Sequence, residues 1–311
     1  MSSIPKVTII IATYNRAPFI LEMLQSIHKQ TFLDWEALII DDGCTDNTLE
    51  VISPILQQEE RFHYYSRIKS YTKGTSGCRN YGLDIAKGDY IIFFDDDDVA
   101  HPQNLELCVI ELSKDEISFC RYIRTSFFGD FDYSFDYSKE YVSFYIDVND
   151  IEKVLKYELP FNSCAVMWKK KCFKNSRFNE DISYADEWEL YTRILSQGIK
   201  GISIEKCLFY GRKHTDSITG EFIRNNLNRK TSYYKAILLV LGNLKEKKLL
   251  SYSLIRHFII MSLGFKEYNL FSKIIIILDL SQYKKLKWQL FYVLLPLRLT
   301  VYKLKKRIIK K

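Results

Sequence analysis

Apolar, β-branched runs alternate with helix-period segments through the first half of the chain, and this alternation restricts the fold more than any other feature. Residues 6–12 (KVTIIIA) and 90–94 (YIIFF) have the continuous apolar pattern of buried strands, and residues 35–40 and 62–66 predict two more. Strand–helix–strand repeats of this kind are typical of α/β proteins. The sequence therefore predicts an α/β fold with a mostly parallel sheet.

The segments between these strands predict the connecting helices. One helical face is formed by apolar residues spaced three or four apart, namely Phe19, Ile20, Met23, Leu24 and Ile27. A second helix should follow the turn at residues 41–43, with Thr45 or Asp46 as its cap. A third should cover residues 78–87 and end at Gly88 as its C-cap.

Three of the predicted strands end in polar residues: the first at 13–15 (TYN), the second at 41–42 (DD) and the fourth at 95–98 (DDDD). Ligands of open α/β sheets bind beyond the carboxyl ends of the strands, so these clusters can share one crevice. Two carboxylates about 4 Å apart repel by ~1 kcal/mol in water and ~4 kcal/mol near a protein surface. A divalent cation relieves this repulsion, and oxygen ligands favour Mg²⁺ or Mn²⁺. A solvated acidic loop before Pro102 is the alternative.

The net charge of the chain, +7, is distributed unevenly. Residues 231–311 contain 17 Lys and Arg and three acidic residues, a net charge of +14, so the remaining 230 residues carry −7. The basic residues are interleaved with aromatic ones such as Trp288, and the apolar stretch 288–297 is shorter than the ~20 residues of a membrane-spanning helix. This pattern indicates a helical tail that lies on an anionic membrane surface. An accessory bundle that only packs on the protein is the alternative.

The cysteines and the N-terminus indicate the compartment. The seven cysteines are scattered and form no Cys-x-x-Cys pair, which favours reduced thiols over disulfides or a zinc site. The first residues lack the basic region and apolar run of a signal peptide. Together with the basic tail, this predicts a cytoplasmic protein that is peripheral on the inner face of the cytoplasmic membrane.

Four short motifs resemble those of family 2 glycosyltransferases, which have the GT-A fold. They occur at residues 11–16 (IATYNR), 40–47 (IDDGCTDN), 74–80 (GTSGCRN) and 88–98 (GDYIIFFDDDD), in the family's order and spacing. The resemblance implies the fold of nucleotide-diphospho-sugar transferases, with a Rossmann-like, mostly parallel sheet, followed here by the C-terminal helical, basic extension. It also implies transfer of a sugar from a nucleotide sugar to an acceptor hydroxyl, with inversion.

The same resemblance implies which residues bind the donor nucleotide. Tyr14 would lie against the base, with Thr13 and Asn15 beside it. Asp41 would accept the imide N–H of the base, which favours uracil over cytosine. Asp96 would hold the ribose or assist the metal. The alternatives are ordinary loop packing for Tyr14 and an Asx turn for Asp41.

Metal and phosphate contacts involve four further residues. The resemblance implies that Asp97 and Asp95 hold Mn²⁺ or Mg²⁺. Arg79 suits a bidentate phosphate contact, and a capping or ion-pair role is equally compatible with its position. His214 follows a basic pair at residues 212–213 and is a candidate for a phosphate or metal contact, although an isolated histidine is more often structural.

An inverting transfer needs a general base that takes the proton of the acceptor hydroxyl. Residues 184–193 (YADEWELYTR) resemble the family's Glu-Asp-(aromatic)-x-x-x-x-Arg element, in which the second acid is the base. Here the acids are reversed: alignment through Arg193 selects Glu187, whereas residue type selects Asp186, so both stay candidates. Acidic residues that complement the helix dipole in a first turn are the alternative.

These observations predict the organisation and partners of the chain. Residues 1–219 should form the GT-A catalytic domain, with a nucleotide-binding half at about 1–115 and an acceptor half at about 116–219. Residues 220–311 should form the basic tail. We expect a UDP-sugar donor, a glycan or lipid-linked glycan acceptor, a role in bacterial capsule or O-antigen polysaccharide synthesis, and no nucleic-acid partner.

Two other functions fit parts of the pattern. A sugar-phosphate nucleotidyltransferase would need a Gly-rich phosphate loop with Arg and Lys after the first strand, and residues 11–16 contain none. A non-catalytic protein that binds a nucleotide or a membrane would not need the intact aspartate cluster. The sequence therefore favours the glycosyltransferase.

Overall fold

The computed structural model describes most of the chain as two compact units, Met1–Ala236 and Ile237–Lys311. The residues that it describes are 4–114, 116–214, 217–265, 267–294 and 297. The predicted boundary between residues 219 and 220 lies within the first unit, and the assignment of a catalytic domain to residues 1–219 stays a prediction.

The strands and helices follow one another in an order that begins with strict alternation. In the first unit they are β1 (Val7–Thr13), α1 (Ile20–His28), β2 (Trp35–Asp41), α2 (Thr48–Gln58), β3 (Phe62–Ser66), α3 (Thr75–Ile85), β4 (Tyr90–Asp95), β5 (Val99–Ala100), α4 (Asn104–Leu112), β6 (Phe119–Phe128), β7 (Ser143–Ile146), α5 (Ile151–Leu155), β8 (Val166–Lys169), α6 (Asp186–Leu195), β9 (Gly201–Lys213) and α7 (Ile218–Ile223). Helix α8 (Leu227–Glu246) begins in the first unit, and α9 (Tyr252–Gly264), α10 (Tyr268–Leu278) and α11 (Gln282–Val293) belong to the second.

One sheet carries all nine strands, in the order β3-β2-β1-β4-β8-β6-β9-β5, with β7 on β9. The pairs β3-β2, β2-β1, β1-β4 and β6-β9 are parallel, and the shorter ladders of β8, β5 and β7 are antiparallel. Strands β1, β2 and β4 are almost entirely buried, whereas β3, at the edge of the sheet, is buried only at Phe62. This mostly parallel α/β sheet confirms the predicted fold class.

The four predicted strands of the first half lie within one residue of β1 to β4. The helix predicted at 78–87 is α3, which begins earlier, at Thr75, and ends at Ile85. The prediction that Gly88 caps this helix is wrong. Gly88 lies against β1 instead, where a Cβ atom would come within 2.6 Å of the Thr8 backbone nitrogen. The glycine is needed for this close approach and not for a left-handed turn.

The long strands β6 and β9 form the second parallel ladder, with a bulge near Ile123. Neither has a continuous apolar run, because each contains buried charged residues. In β6 this is Arg121, with the half-buried Arg124 after it, and in β9 Lys206 is 5% exposed and donates to Asp136. The ladder sets the C-terminal ends of β6 and β9 side by side.

The second unit contains helices packed around an apolar core. The apolar residues of α9 and α10 face one another, and the buried ones are Leu254, Phe258, Ile259, Leu263, Leu270, Phe271, Ile274, Ile275 and Leu278. The rings of Phe271 and Tyr292 stack, with centroids 4.8 Å apart. Among the described residues, no helix is long and apolar enough to cross a membrane.

Candidate active site

The parallel register brings the first, second and fourth strand ends to one edge of the sheet. Thr13 is paired with Asp41, and Ala12 with Asp95. Thr13 is 2% exposed, whereas the next residue, Tyr14, leaves the sheet and is 44% exposed. The structure thus places the predicted nucleotide residues and the start of the aspartate run beside each other.

Asn15 joins the end of β1 to the loop that follows β2. Its backbone is left-handed, with φ of 52°, and its Oδ1 accepts hydrogen bonds from the backbone N–H groups of Thr45 (2.8 Å) and Asp46 (3.3 Å). Asn and Asp tolerate this conformation better than most residues. Asn15 therefore shapes the rim beside the exposed ring of Tyr14, over which the Lys73 amine lies at 4.4 Å.

Asp41 forms the turn that was one of its two predicted alternatives. Its Oδ1 accepts from the N–H groups of Gly43 (3.0 Å) and Cys44 (2.7 Å). Burial by itself raises the pKa of this carboxyl group, but the hydrogen bonds from Cys44, Tyr64 and Gly43 outweigh it and the pKa lies below its usual value. A contact with a nucleotide base stays a prediction.

The four consecutive aspartates have four different surroundings. Asp95 accepts from Arg79 Nη2 at 3.0 Å, and the Arg16 guanidinium lies 3.4 Å from Asp96. The Asp97 carboxylate lies 2.7 Å from His214 Nε2. Both oxygens of Asp98 accept hydrogen bonds, one from Arg124 Nη2 (3.0 Å) and one from the Arg212 backbone N–H (2.8 Å).

Proximity and burial raise the pKa values of two of these groups. Burial raises the pKa of Asp96 to about 7, and the charge of Asp97 adds to the rise against the opposing effect of Arg16. Burial likewise raises the pKa of Asp98 to about 8, opposed by Arg124. The end of β4 is therefore a place where negative charge is costly and where a cation is stabilised.

Two sets of residues could hold a divalent cation here. Within the described ranges, the one close grouping of three potential ligand atoms comprises Asp95, Asp98 and Cys164, whose atoms lie within 4.8 Å of one another. Burial keeps the pKa of the Cys164 thiol well above its usual value, and both Asp98 oxygens are already bonded. Asp95 and Asp97 offer oxygen ligands only, as a hard ion prefers, and their assignment as the metal ligands stays a prediction.

Arg79 connects the aspartate run to the candidate base. Its guanidinium is buried and donates to Asp95 Oδ1 (3.0 Å), to Ser163 Oγ (3.1 Å) and to Asp186 Oδ2 (3.4 Å). This is the ion-pair role, the second of the two predicted for Arg79. A contact with the diphosphate stays a prediction.

Asp186 and Glu187 begin α6, as predicted, directly after a strained residue. Ala185 is left-handed, with φ of 63° and ψ of 27°, which is uncommon for a residue with a Cβ atom. Asp186 is 7% exposed and accepts from Ser76 Oγ at 2.9 Å. Burial, followed by the charge of Asp186, raises the pKa of the half-buried Glu187 to about 8. Arg193, the arginine of the resembling element, forms an ion pair with Glu189.

His214 directly follows β9 and lies beside the aspartates. Besides its contact with Asp97, its ring stacks on Phe19 at a centroid distance of 5.4 Å. The neighbouring Arg212 donates from Nε to the Asp97 carbonyl (3.0 Å) and also pairs with Glu22. The end of β9 is thereby joined to the end of β4.

Several residues of the site were not predicted from the sequence. Arg124 of β6 and Ser76 of α3 hold Asp98 and Asp186; no local pattern marks Arg124, whereas Ser76 lies within the GTSGCRN motif. Gly77 had a visible signal, since it belongs to the GTSGCRN motif. A Cβ atom there would come within 2.0 Å of the Thr72 carbonyl oxygen, so this glycine lets the loop before α3 approach the helix.

The sheet order and the placement of an acidic strand end opposite an acidic helix start define a GT-A glycosyltransferase fold. The chain belongs to glycosyl transferase family 2: the model of that family matches residues 8–173, more than half of the chain.

A curated relative and two solved structures illustrate the similarity. The GalNAc(5)-diNAcBac-PP-undecaprenol β-1,3-glucosyltransferase of Campylobacter jejuni is 35% identical over 94 residues, which is 30% of this chain and 30% of that protein. Staphylococcus aureus TarS 1–349 with UDP-GlcNAc superposes with a TM-score of 0.65 at 18% identity, covering 81% of this chain and 72% of that one. The mannosyltransferase PcManGT of Pyrobaculum calidifontis, in complex with GDP-Man and Mn²⁺, gives 0.58 at 16%, covering 89% and 75%.

Proposed function

We propose that this chain transfers a sugar from a UDP-sugar to a hydroxyl group of a glycan, with inversion, during the synthesis of a bacterial surface polysaccharide. The observation that carries the proposal is the Arg79 guanidinium, which lies between a donor-side carboxylate, Asp95, and an acceptor-side carboxylate, Asp186. Family membership gives the reaction class.

The donor nucleotide would bind at the edge formed by β1 and β2. Tyr14 presents an exposed ring, and Thr13 and Asn15 form the adjoining rim. Asp41 lies at the end of the neighbouring strand, where its carboxylate can accept the imide N–H of uracil. The TarS structure with UDP-GlcNAc supports the choice of uracil.

Asp95 and Asp97 would hold Mn²⁺ or Mg²⁺, with His214 beside Asp97 and Asp96 toward the ribose. A bound cation supplies charge stabilisation for the leaving diphosphate. The protein's own part is to keep these carboxylates converged, because Arg79 fixes Asp95 and the end of β9 fixes the backbone at Asp97. The Mn²⁺ complex of PcManGT supports this cofactor class.

Glu187 or Asp186 would take the proton of the acceptor hydroxyl. Glu187 is the better candidate, since Asp186 already accepts from Ser76 and Arg79. The raised pKa of Glu187 makes it a stronger base than an ordinary carboxylate once it is ionised. Asp186 would then orient the start of α6.

The C-terminal helices would hold the enzyme at the inner face of the cytoplasmic membrane, near a lipid-linked acceptor. Helix α11 has no buried residue, and its exposed apolar residues recur at helical spacing: Tyr283, Leu286, Leu290, Val293 and Leu294. Lysines 284, 285 and 287 lie on the same helix. The basic residues predicted from Arg298 onward lie outside the described residues. The undecaprenol-linked substrate in the name of the C. jejuni relative supports this location.

A panel of nucleotide sugars tests the proposed reaction. The full chain is incubated with UDP-Glc, UDP-Gal, UDP-GlcNAc, UDP-GalNAc and GDP-Man in Mn²⁺, and the released nucleotide is measured. We expect release from at least one UDP-sugar, loss of this release in EDTA, and none from GDP-Man. Release from no UDP-sugar, or faster release from GDP-Man, contradicts the proposal.

A further inference from the structure

A tyrosine just beyond the C-terminal end of α5 has a backbone conformation that normally favours glycine. Lys156 is the C-cap of the helix, and the next residue, Tyr157, has φ of 60°. Helices commonly place glycine at this position, because a side chain destabilises the left-handed backbone. The ring is nevertheless 53% exposed, so burial of an apolar side chain does not account for its presence here.

The Tyr157 ring belongs to a cluster beside the candidate base. It lies parallel to the Trp188 ring, at 11° and 6.4 Å, and its hydroxyl is 3.1 Å from that of Tyr233. Tyr184 meets Tyr233 edge-on at 5.8 Å, and the Phe222 ring stacks on the Tyr184 ring with centroids 4.5 Å apart. Trp188 follows Glu187 in the first turn of α6, and Tyr184 precedes Glu187 by three residues, so the cluster adjoins the candidate base.

The first turns of α8 hold this cluster and the main chain that leads to the base. Ser232 Oγ accepts from the backbone N–H groups of Ser183 (2.8 Å) and Tyr184 (3.0 Å), and Arg229 donates to the Ser183 carbonyl at 2.7 Å. The residue after Tyr184 is the left-handed Ala185, and α6 begins directly after it. Left-handed residues other than glycine, here Tyr157 and Ala185, are a feature of functional sites.

We propose that Tyr157, with Tyr184 beside it, forms the subsite for the acceptor sugar, in which the C–H face of a pyranose ring packs on the exposed Tyr157 ring and a sugar hydroxyl reaches Glu187. This rests on the proposed glycosyltransferase function and adds the residues that bind its second substrate. Aromatic rings with a few polar groups are the usual lining of such sites, and tyrosine offers both an apolar face and a hydroxyl. Ser232 and Tyr233 are positioning residues, because they act through the loop and rings that they hold.

Saturation-transfer NMR on the full chain tests the subsite. The probes are methyl β-D-glucopyranoside, methyl β-D-galactopyranoside and methyl N-acetyl-β-D-glucosaminide, each with UDP and Mg²⁺. We expect saturation of at least one pyranoside, strongest on the protons of one ring face, and roughly tenfold weaker affinity in Tyr157→Ala. Tyr157→Phe keeps the ring and should keep the signal. Tyr252→Ala, which removes a tyrosine that is 69% exposed in the second unit, should change nothing.

Tyr157→Gly separates binding from stability. Glycine relieves the left-handed backbone that alanine retains, so the glycine variant should unfold at a higher temperature than the alanine variant. Both variants should lose the pyranoside signal to the same extent. If the signal instead follows stability and returns in Tyr157→Gly, the tyrosine has a structural role only and the proposal is overturned.

Two outcomes distinguish this inference from the function on which it rests. Calorimetric UDP binding in Mg²⁺ without saturation of any pyranoside overturns the acceptor subsite and leaves the donor site standing. Absence of UDP binding by the wild-type chain contradicts the proposed function itself. A Ser232→Ala variant should weaken pyranoside binding while UDP affinity is unchanged, and its matched control, Ser262→Ala, removes a buried hydroxyl from α9 and should affect neither.

Discussion

The proposed donor-side residues stand at the ends of parallel strands, whereas the proposed acceptor-side residues stand at the start of a helix that side chains of other elements hold. Asp41 and Asp95 are the last residues of β2 and β4, so the sheet itself sets their positions. Asp186 and Glu187 follow the left-handed Ala185, and hydrogen bonds from Ser76 and to Ser232 fix that segment. A substitution on the donor side should therefore alter ligand binding without shifting the backbone of the site. A substitution on the acceptor side should shift that backbone.

Substitution of the two candidate general bases, Glu187 and Asp186, should give the largest effect, and it tests the acceptor half directly. Loss of a general base lowers turnover by about 10²–10⁴-fold. We expect such a fall in Glu187→Gln, measured as UDP released from the active donor of the panel, with UDP affinity unchanged by calorimetry. Asp186→Asn should fall less. Full activity in both variants would refute the assignment of the base to this segment.

Arg79 joins the two halves, so its removal should damage both. Breaking a buried ion pair by removing one partner costs about 3–5 kcal/mol. Arg79→Met should lower the free energy of unfolding by an amount of this order in urea and weaken UDP binding as well. Arg177→Ala is the control, because its pair with Asp84 is exposed and contributes less than ~1 kcal/mol. Equal stability of the two variants would show that Arg79 does not link the halves.

Gly77 tests how the donor-side loop is held. Alanine at this helical position would place a Cβ atom 2.0 Å from the Thr72 carbonyl oxygen. Overpacking of this kind lowers the free energy of unfolding by about 1–3 kcal/mol. Gly242→Ala, in α8 with nothing within 4 Å of the added atom, should instead stabilise by about 0.5–1 kcal/mol. Thermal unfolding should give opposite signs for the same substitution. Stabilisation of both variants would contradict the close approach at Gly77.

The tail should have the smallest effect on chemistry in solution. A chain that ends at residue 281 should release UDP at the wild-type rate, because α11 lies outside the first unit. It should float less with anionic vesicles in a density gradient, since it lacks the exposed apolar residues and lysines of α11. Vesicles of neutral lipid serve as the control. Undiminished flotation with anionic vesicles would count against membrane docking by this segment.

The contrast between the halves also explains what the sequence could predict. Strands β1, β2 and β4 are buried along almost their whole length, so they appear as continuous apolar runs, and the aspartates follow the last run at once. Strands β6 and β9 were not predicted, because buried Arg121 and Lys206 interrupt their pattern. These charges are tolerated only through distant partners, such as Asp136, 70 positions from Lys206.

The partners of the site residues were likewise beyond local patterns. The sequence predicted the aspartate run and the acidic start of α6, but not which group each acid contacts. His214 meets Asp97 across 117 positions, and Ser76 meets Asp186 across 110. Such contacts depend on how the sheet folds, whereas strand ends and turn residues depend on neighbours in sequence.

Calorimetric titration of UDP in Mn²⁺ is the most direct test of the central claim, a metal-dependent donor site at the end of β4. The wild-type chain should bind UDP, and either EDTA or Asp97→Ala should weaken binding by about a hundredfold or more. Asp132→Ala, at an exposed aspartate, should bind as the wild type does. Unchanged UDP affinity of Asp97→Ala in Mn²⁺ would contradict the account.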